Sequence, residues 1–175
     1  VSVVPLLFLD VDGPIIPFGA TDGYPTFGTG YRQPGTNPLL DRVDPALGPR
    51  LLALPCELVW ATTWMSDANE CLAPLLGLPD LPVVSWPEPS EDDGRGGLHW
   101  KTRTLVARAA GRPFAWVDDE ITDADRSWVE AHHRGQAPLH RVDPRCGLTD
   151  ADFATLDAWL RPRADGPPAG DRWPV

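Results

Sequence analysis

An apolar run that stops at two carboxylates constrains this chain more than any other feature. Val3 to Leu9 is short, apolar on both alternating faces and rich in branched residues. That is the pattern of a strand buried on both sides. It ends in Asp10-Val11-Asp12-Gly13. Asp10 therefore falls at the carboxyl end of a strand, the edge where open α/β sheets place ligands. Acids one residue apart repel, and a divalent cation is the usual reason for them to share a place. The competing reading is a polar turn with Asp12-Gly13 at its corner.

The rest of the chain alternates between strand and helix patterns. Predicted strands at 57–61, 82–86, 113–117 and 137–142 come after the first. Helical segments fall near 45–54, 67–77, 98–110, 123–134 and 150–160. Thr122 with Asp125, and Thr149 with Asp152, have capping-box spacing at two helix starts. Such alternation predicts an α/β fold of three layers. Its centre is a Rossmann-like, mostly parallel sheet of about five strands, covered by helices on both faces. Residues 13–38, rich in glycine, proline and aromatics, read as an irregular flap or hairpin over the sheet edge. Residues 87–97 read as a loop and 161–175 as an extended tail, which leaves 1–160 as one domain.

Composition narrows the function classes. At 175 residues and 42% hydrophobic, the chain can bury a real core. No apolar run approaches the roughly 20 residues that span a bilayer. The first run has no basic leader and is broken by Asp10, so it does not read as a signal peptide. Cys56, Cys71 and Cys146 lack metal-ligand spacing; they read as small buried residues of a protein in the reducing cytoplasm. A formal net charge of −10 argues against duplex-wide nucleic-acid binding but leaves room for a local basic pocket.

In a parallel sheet the polar residues after each strand gather at one edge. Thr62-Thr63 come after the second strand, and Asp118-Asp119 after the fourth, with Asp123 a turn later. Lys101, the only lysine, starts the helix after the third. Each supplies something phosphoryl transfer needs. A carboxylate can attack phosphorus, and a second acid can protonate the leaving group. A hydroxyl and an ammonium can hold the phosphoryl oxygens, and further acids can complete a magnesium shell. The plainer readings are a strand terminus for Thr62, a solvated helix lysine for Lys101 and a first-turn helix acid for Asp123.

Taken in order, Leu-Phe-Leu-Asp10-Val-Asp12-Gly13, Val-Trp-Ala-Thr62-Thr63, His-Trp-Lys101 and Trp-Val-Asp118-Asp119-Glu-Ile-Thr-Asp123 resemble the four motifs of the haloacid dehalogenase superfamily. The resemblance covers roughly residues 3 to 160. Thr-Trp after the second strand and Asp-Asp-Glu after the fourth are similar to the small capless domains grouped with bacterial RNA-repair proteins. The resemblance implies a magnesium-dependent phosphatase. Asp10 matches the nucleophile and Asp12 the general acid, whose backbone carbonyl also reaches the metal. An aspartate at position 12 is typical of the phosphatases rather than the dehalogenases. Thr62, with Thr63 as runner-up, matches the phosphoryl-binding hydroxyl, Lys101 the neutralising lysine and Asp119 the magnesium acid. Asp118 stands where many members have glycine, as a supporting group or alternative ligand. Asp10, Asp12, Asp118 and Asp119 are expected to converge in one small volume.

Neither the flap nor the 87–97 loop can house a folded cap, so the site is expected to be open to bulky substrates. A phosphorylated nucleotide, a nucleic-acid end or a large phosphometabolite would fit. The alternative is a non-catalytic domain that binds a phosphorylated partner through the same pocket. Phe18, Tyr24, Phe27, Trp64, Trp86 and Trp100 flank the motifs and read either as packing or as stacking surfaces. None of His99, His132, His133 and His140 has ligand spacing, and His132 and His133 fall on a helix surface.

Overall fold

A computed structural model describes residues 3–28, 37–88 and 95–161. Four parallel strands form one sheet in the order β2-β1-β3-β4: β1 (Leu6–Leu9), β2 (Glu57–Trp60), β3 (Phe114–Asp118) and β4 (Leu139–Arg141). Every residue of β1 is buried, as its two-sided apolar pattern requires. The strand begins at Leu6, not Val3. Pro5 has no N–H to offer the ladder, and Val3 and Val4 are exposed.

Alternation along β1 divides the core. Leu7 and Leu9 face one layer with Leu51, Leu72, Leu76 and Phe153. These come from α1 (Leu47–Ala53), a π-helical turn at Ala68–Leu72 that runs into α2 (Ala73–Leu76), and α5 (Asp150–Leu160). Leu6 and Phe8 face the other layer, with Leu105 of α3 (Thr102–Ala109) and Val129 of α4 (Asp123–His132). The fold is thus a parallel sheet with helices on both faces. Both expected capping boxes form, with Thr122 and Thr149 as N-caps. No helix among the described residues is long and apolar enough to cross a membrane.

Several expectations need correction. The strand at 82–86 shrinks to one bridge, Val83 beside Trp60. Pro82 and Pro87 bracket it, so only a short stretch can donate to β2. Residues 13–18 begin the irregular segment expected there. A tight turn sends the Ile15 and Ile16 N–H groups to the Val11 carbonyl. The chain then runs along the loop after β4, through Phe18 N–H to Pro144 O and Leu148 N–H to Pro14 O. His133 is buried, edge-on to Phe114 at 4.8 Å, because it caps the end of α4 where the chain turns inward. Cys146 is exposed, and Cys56 and Cys71 are only half-buried. Residues 29–36, 89–94 and 162–175, which hold all of the expected 161–175 tail but its first residue, lie outside the described residues.

Candidate active site

Parallel register brings the strand ends together. Leu9 pairs with Val117, and the Asp10 N–H continues the ladder to the Val117 carbonyl at 3.0 Å. Asp10 and Asp118 therefore leave adjacent strands at the same level. Between them lies Lys101, at the N-cap of α3, with its Nζ 2.8 Å from Asp10 Oδ2 and 2.8 Å from Asp118 Oδ2. Lys101 is 3% exposed and Asp118 fully covered.

Oxygens of Asp10, Asp118 and Asp119 lie within 4.8 Å of one another. Asp118 is heavily committed. Its Oδ2 also accepts from Trp116 Nε1 at 3.3 Å, and its Oδ1 from the Glu120 N–H at 2.9 Å. Asp119 carries no salt bridge among the described residues. Packing explains the glycine that closes the first motif, Gly13. Its φ is +89°, and a Cβ there would stand 2.8 Å from Asp119 Cγ, so the turn and the acid can pack only if position 13 is bare.

Burial is the first influence on these groups. It drives the Asp10 carboxyl up to about 7, with Asp118 adding to the rise and Lys101 opposing it. Burial, then Asp118, likewise raises Asp119. For Lys101 burial alone would lower the pKa, but the Asp10 and Asp118 carboxylates reverse it and hold the ammonium charged. When all three are ionised, the carboxylates beside this one ammonium leave two negative charges unbalanced. All the free donors are oxygens, the set a hard divalent cation such as magnesium prefers.

Asp12 departs from the expected convergence. Its carboxylate lies outside that group and accepts from Trp64 Nε1 at 3.1 Å. The turn after Asp12 aims it toward the end of β2 rather than toward β3. Thr62 is fully buried and Thr63 exposed, so the two side chains face opposite ways. The Thr62 Oγ1 accepts from the Trp64 N–H at 3.2 Å, and its carbonyl from Trp86 Nε1 at 3.0 Å. Asp123 stays outside the site as an exposed acid in the first turn of α4.

Sequence spacing missed His99. It lies within 4.8 Å of both Asp118 and Glu120, with Nε2 3.1 Å from Glu120 Oε2, and its Nδ1 accepts the Lys101 N–H. His99 and the Asp118–Glu120 pair come from separate loops, and only the His99-Trp100-Lys101 adjacency hinted at the grouping. Asp125, read as a capping acid, does more. Beyond Thr122 it accepts from the His99 N–H at 2.8 Å and Thr102 Oγ1 at 2.6 Å. It thereby ties the loop carrying Lys101 to the start of α4.

No protein-family model, no curated protein and no solved structure matches this chain. The geometry of the sheet edge therefore carries the functional reading.

Proposed function

We propose that this chain is a magnesium-dependent phosphohydrolase that works through an aspartyl-phosphate, a capless member of the haloacid dehalogenase superfamily. Lys101 is the observation that carries the reading. The only lysine of the chain is buried between the carboxylates that end two neighbouring strands, 2.8 Å from each. Burying such a group is costly for structure alone. Phosphoryl transfer uses every part of it.

Asp10 is the nucleophile, with Oδ1 held by the Val11 N–H and Oδ2 by Lys101. Its carboxylate attacks phosphorus, the ester P–O bond breaks, and Asp12 gives its proton to the leaving oxygen. Asp12, now a carboxylate, takes a proton from water as the water oxygen attacks phosphorus. The acyl-phosphate bond breaks, phosphate departs and Asp10 is restored. Thr62 accepts its hydrogen bond from backbone, which leaves its own proton for a phosphoryl oxygen. Asp10, Asp119 and the Asp12 backbone carbonyl would hold magnesium, with Asp118 as supporting group. The ion, when bound, supplies charge neutralisation at the phosphoryl oxygens.

The short segments at both cap-insertion points support an open site, suited to a nucleotide, a nucleic-acid end or a bulky phosphometabolite. The unpaired Cys56, Cys71 and Cys146 suit the cytoplasm, where we place the chain. The test is turnover of p-nitrophenyl phosphate. Activity with magnesium, none with chelator and none for Asp10→Asn are expected. Turnover by Asp10→Asn at the wild-type rate would refute the covalent mechanism.

A further inference from the structure

We infer that Trp64 is a positioning residue for the proton-transfer step: its indole N–H fixes the Asp12 carboxylate so that only the other oxygen faces the leaving group. The inference rests on the phosphohydrolase reading and adds to it a residue that no part of that mechanism uses.

Trp64 meets the site through both its backbone and its side chain. Its N–H donates to Thr62 Oγ1 at 3.2 Å, and its Nε1 donates to Asp12 Oδ2 at 3.1 Å, across 52 positions of sequence. The indole is half-buried against the core layer of α1 and α2, so the ring is not free to swing. Asp12 has no other side-chain partner among the described residues, so this one hydrogen bond determines how its carboxylate is turned. An indole N–H can only donate. Oδ2 is therefore taken by Trp64, which leaves Oδ1 as the oxygen turned to face the leaving group. A general acid needs its proton on a defined oxygen at hydrogen-bond distance from the leaving group.

The backbone supports the assignment. Met65, directly after Trp64, has φ +51°. A left-handed conformation is unfavourable for a residue with a Cβ, and such outliers cluster where a turn is forced to aim a side chain. Among the described residues the other non-glycine position with positive φ, Ala110, simply ends α3. Met65 ends no helix. It lies in the turn that carries Trp64 from the end of β2 toward Asp12, with its N–H on the Thr62 carbonyl.

Trp64→Phe keeps a ring and deletes the donor. Protonation matters for a poor leaving group and hardly for a good one, so kcat/KM across a series of phosphomonoesters is the readout. For Trp64→Phe we expect kcat/KM to fall about tenfold or more on an alkyl phosphate, and less than about threefold on p-nitrophenyl phosphate. A purely structural role would lower both by the same factor, and that result would overturn the inference. The ¹⁵N–¹H resonance of the Trp64 indole tests the contact without activity. It should move on Asp12→Ala, which removes the acceptor; an unmoved resonance would also overturn the inference. Absence of turnover in the wild-type protein with magnesium would overturn the phosphohydrolase reading and the role of Trp64 together. Equal losses in an active enzyme would overturn Trp64 alone.

Discussion

Asp10 and Asp125 are both buried aspartates, and the fold treats them in opposite ways. Asp125 is completely covered, yet hydrogen bonds from Thr102, Thr122 and the His99 N–H outweigh that burial and hold its carboxyl below the usual range. Asp10 has one backbone N–H and one shared ammonium, and burial lifts it to about 7. The first carboxylate is satisfied by its own neighbourhood and serves the architecture. The second is left short of donors beside two more acids. Strain of that kind belongs to a site waiting for something positive or something to attack.

The sharpest way to break this contrast is to neutralise each acid in turn. Asp10→Asn should reduce phosphatase turnover by about a thousandfold or more, since the attacking charge is gone. Its melting temperature in chelator should not fall, because one member of a repelling set is removed. Asp12→Asn should cost about a hundredfold in kcat on an alkyl phosphate, through both halves of the reaction. Losses under about threefold would assign the proton transfer to another group.

Asp125→Ala should do the reverse and act on stability. It strands the His99 N–H, the Thr122 N–H and the Thr102 hydroxyl, which should cost about 3 kcal/mol. Calorimetry should read that as a fall of roughly 6–12 °C. A fall under about 2 °C would mean that the loop carrying Lys101 is secured elsewhere.

The difference also has a pH signature in metal-free protein. Folded Asp10 titrates near 7, far above its ordinary value, so between about 4 and 7 the folded state holds more protons than the unfolded one. Stability should fall as pH rises through that window. Asp125 is lowered, so its contribution is present above its ordinary value and is lost as pH drops below about 4. Urea melts at a series of pH values with chelator should show the neutral limb flattened in Asp10→Asn and the acid limb flattened in Asp125→Asn. A neutral limb unchanged in Asp10→Asn would contradict the assignment of strain to that residue.

Much of this was legible in the sequence because it depends on local order. A buried strand ending in Asp10, and the Thr122 and Thr149 caps, are written in consecutive residues. The consequence of parallel register was legible too: if β1 and β3 are neighbours, Asp10 and Asp118 must meet. Side-chain direction was not. Nothing in Asp-Val-Asp-Gly says that Asp12 turns toward an indole 52 positions away while Asp10 turns toward Lys101. His99, Glu120 and the extra duty of Asp125 were hidden for the same reason, since each contact joins separate loops. The strand at 82–86 failed differently. Its apolar pattern was sound, but its flanking prolines removed the donors that a strand needs.

Magnesium tests the central claim most directly, because it is what the strained acids of the sheet edge are held to await. Thermal melts of wild type and Asp119→Ala, each with millimolar magnesium and with chelator, make the measurement. Binding to the folded state at a hundredfold excess over Kd stabilises by roughly 2.7 kcal/mol. Wild type should therefore melt roughly 5–10 °C higher with magnesium. Asp119→Ala should lose most of that rise and, in chelator, melt no lower than wild type. An unchanged melting temperature for wild type in magnesium would contradict the account.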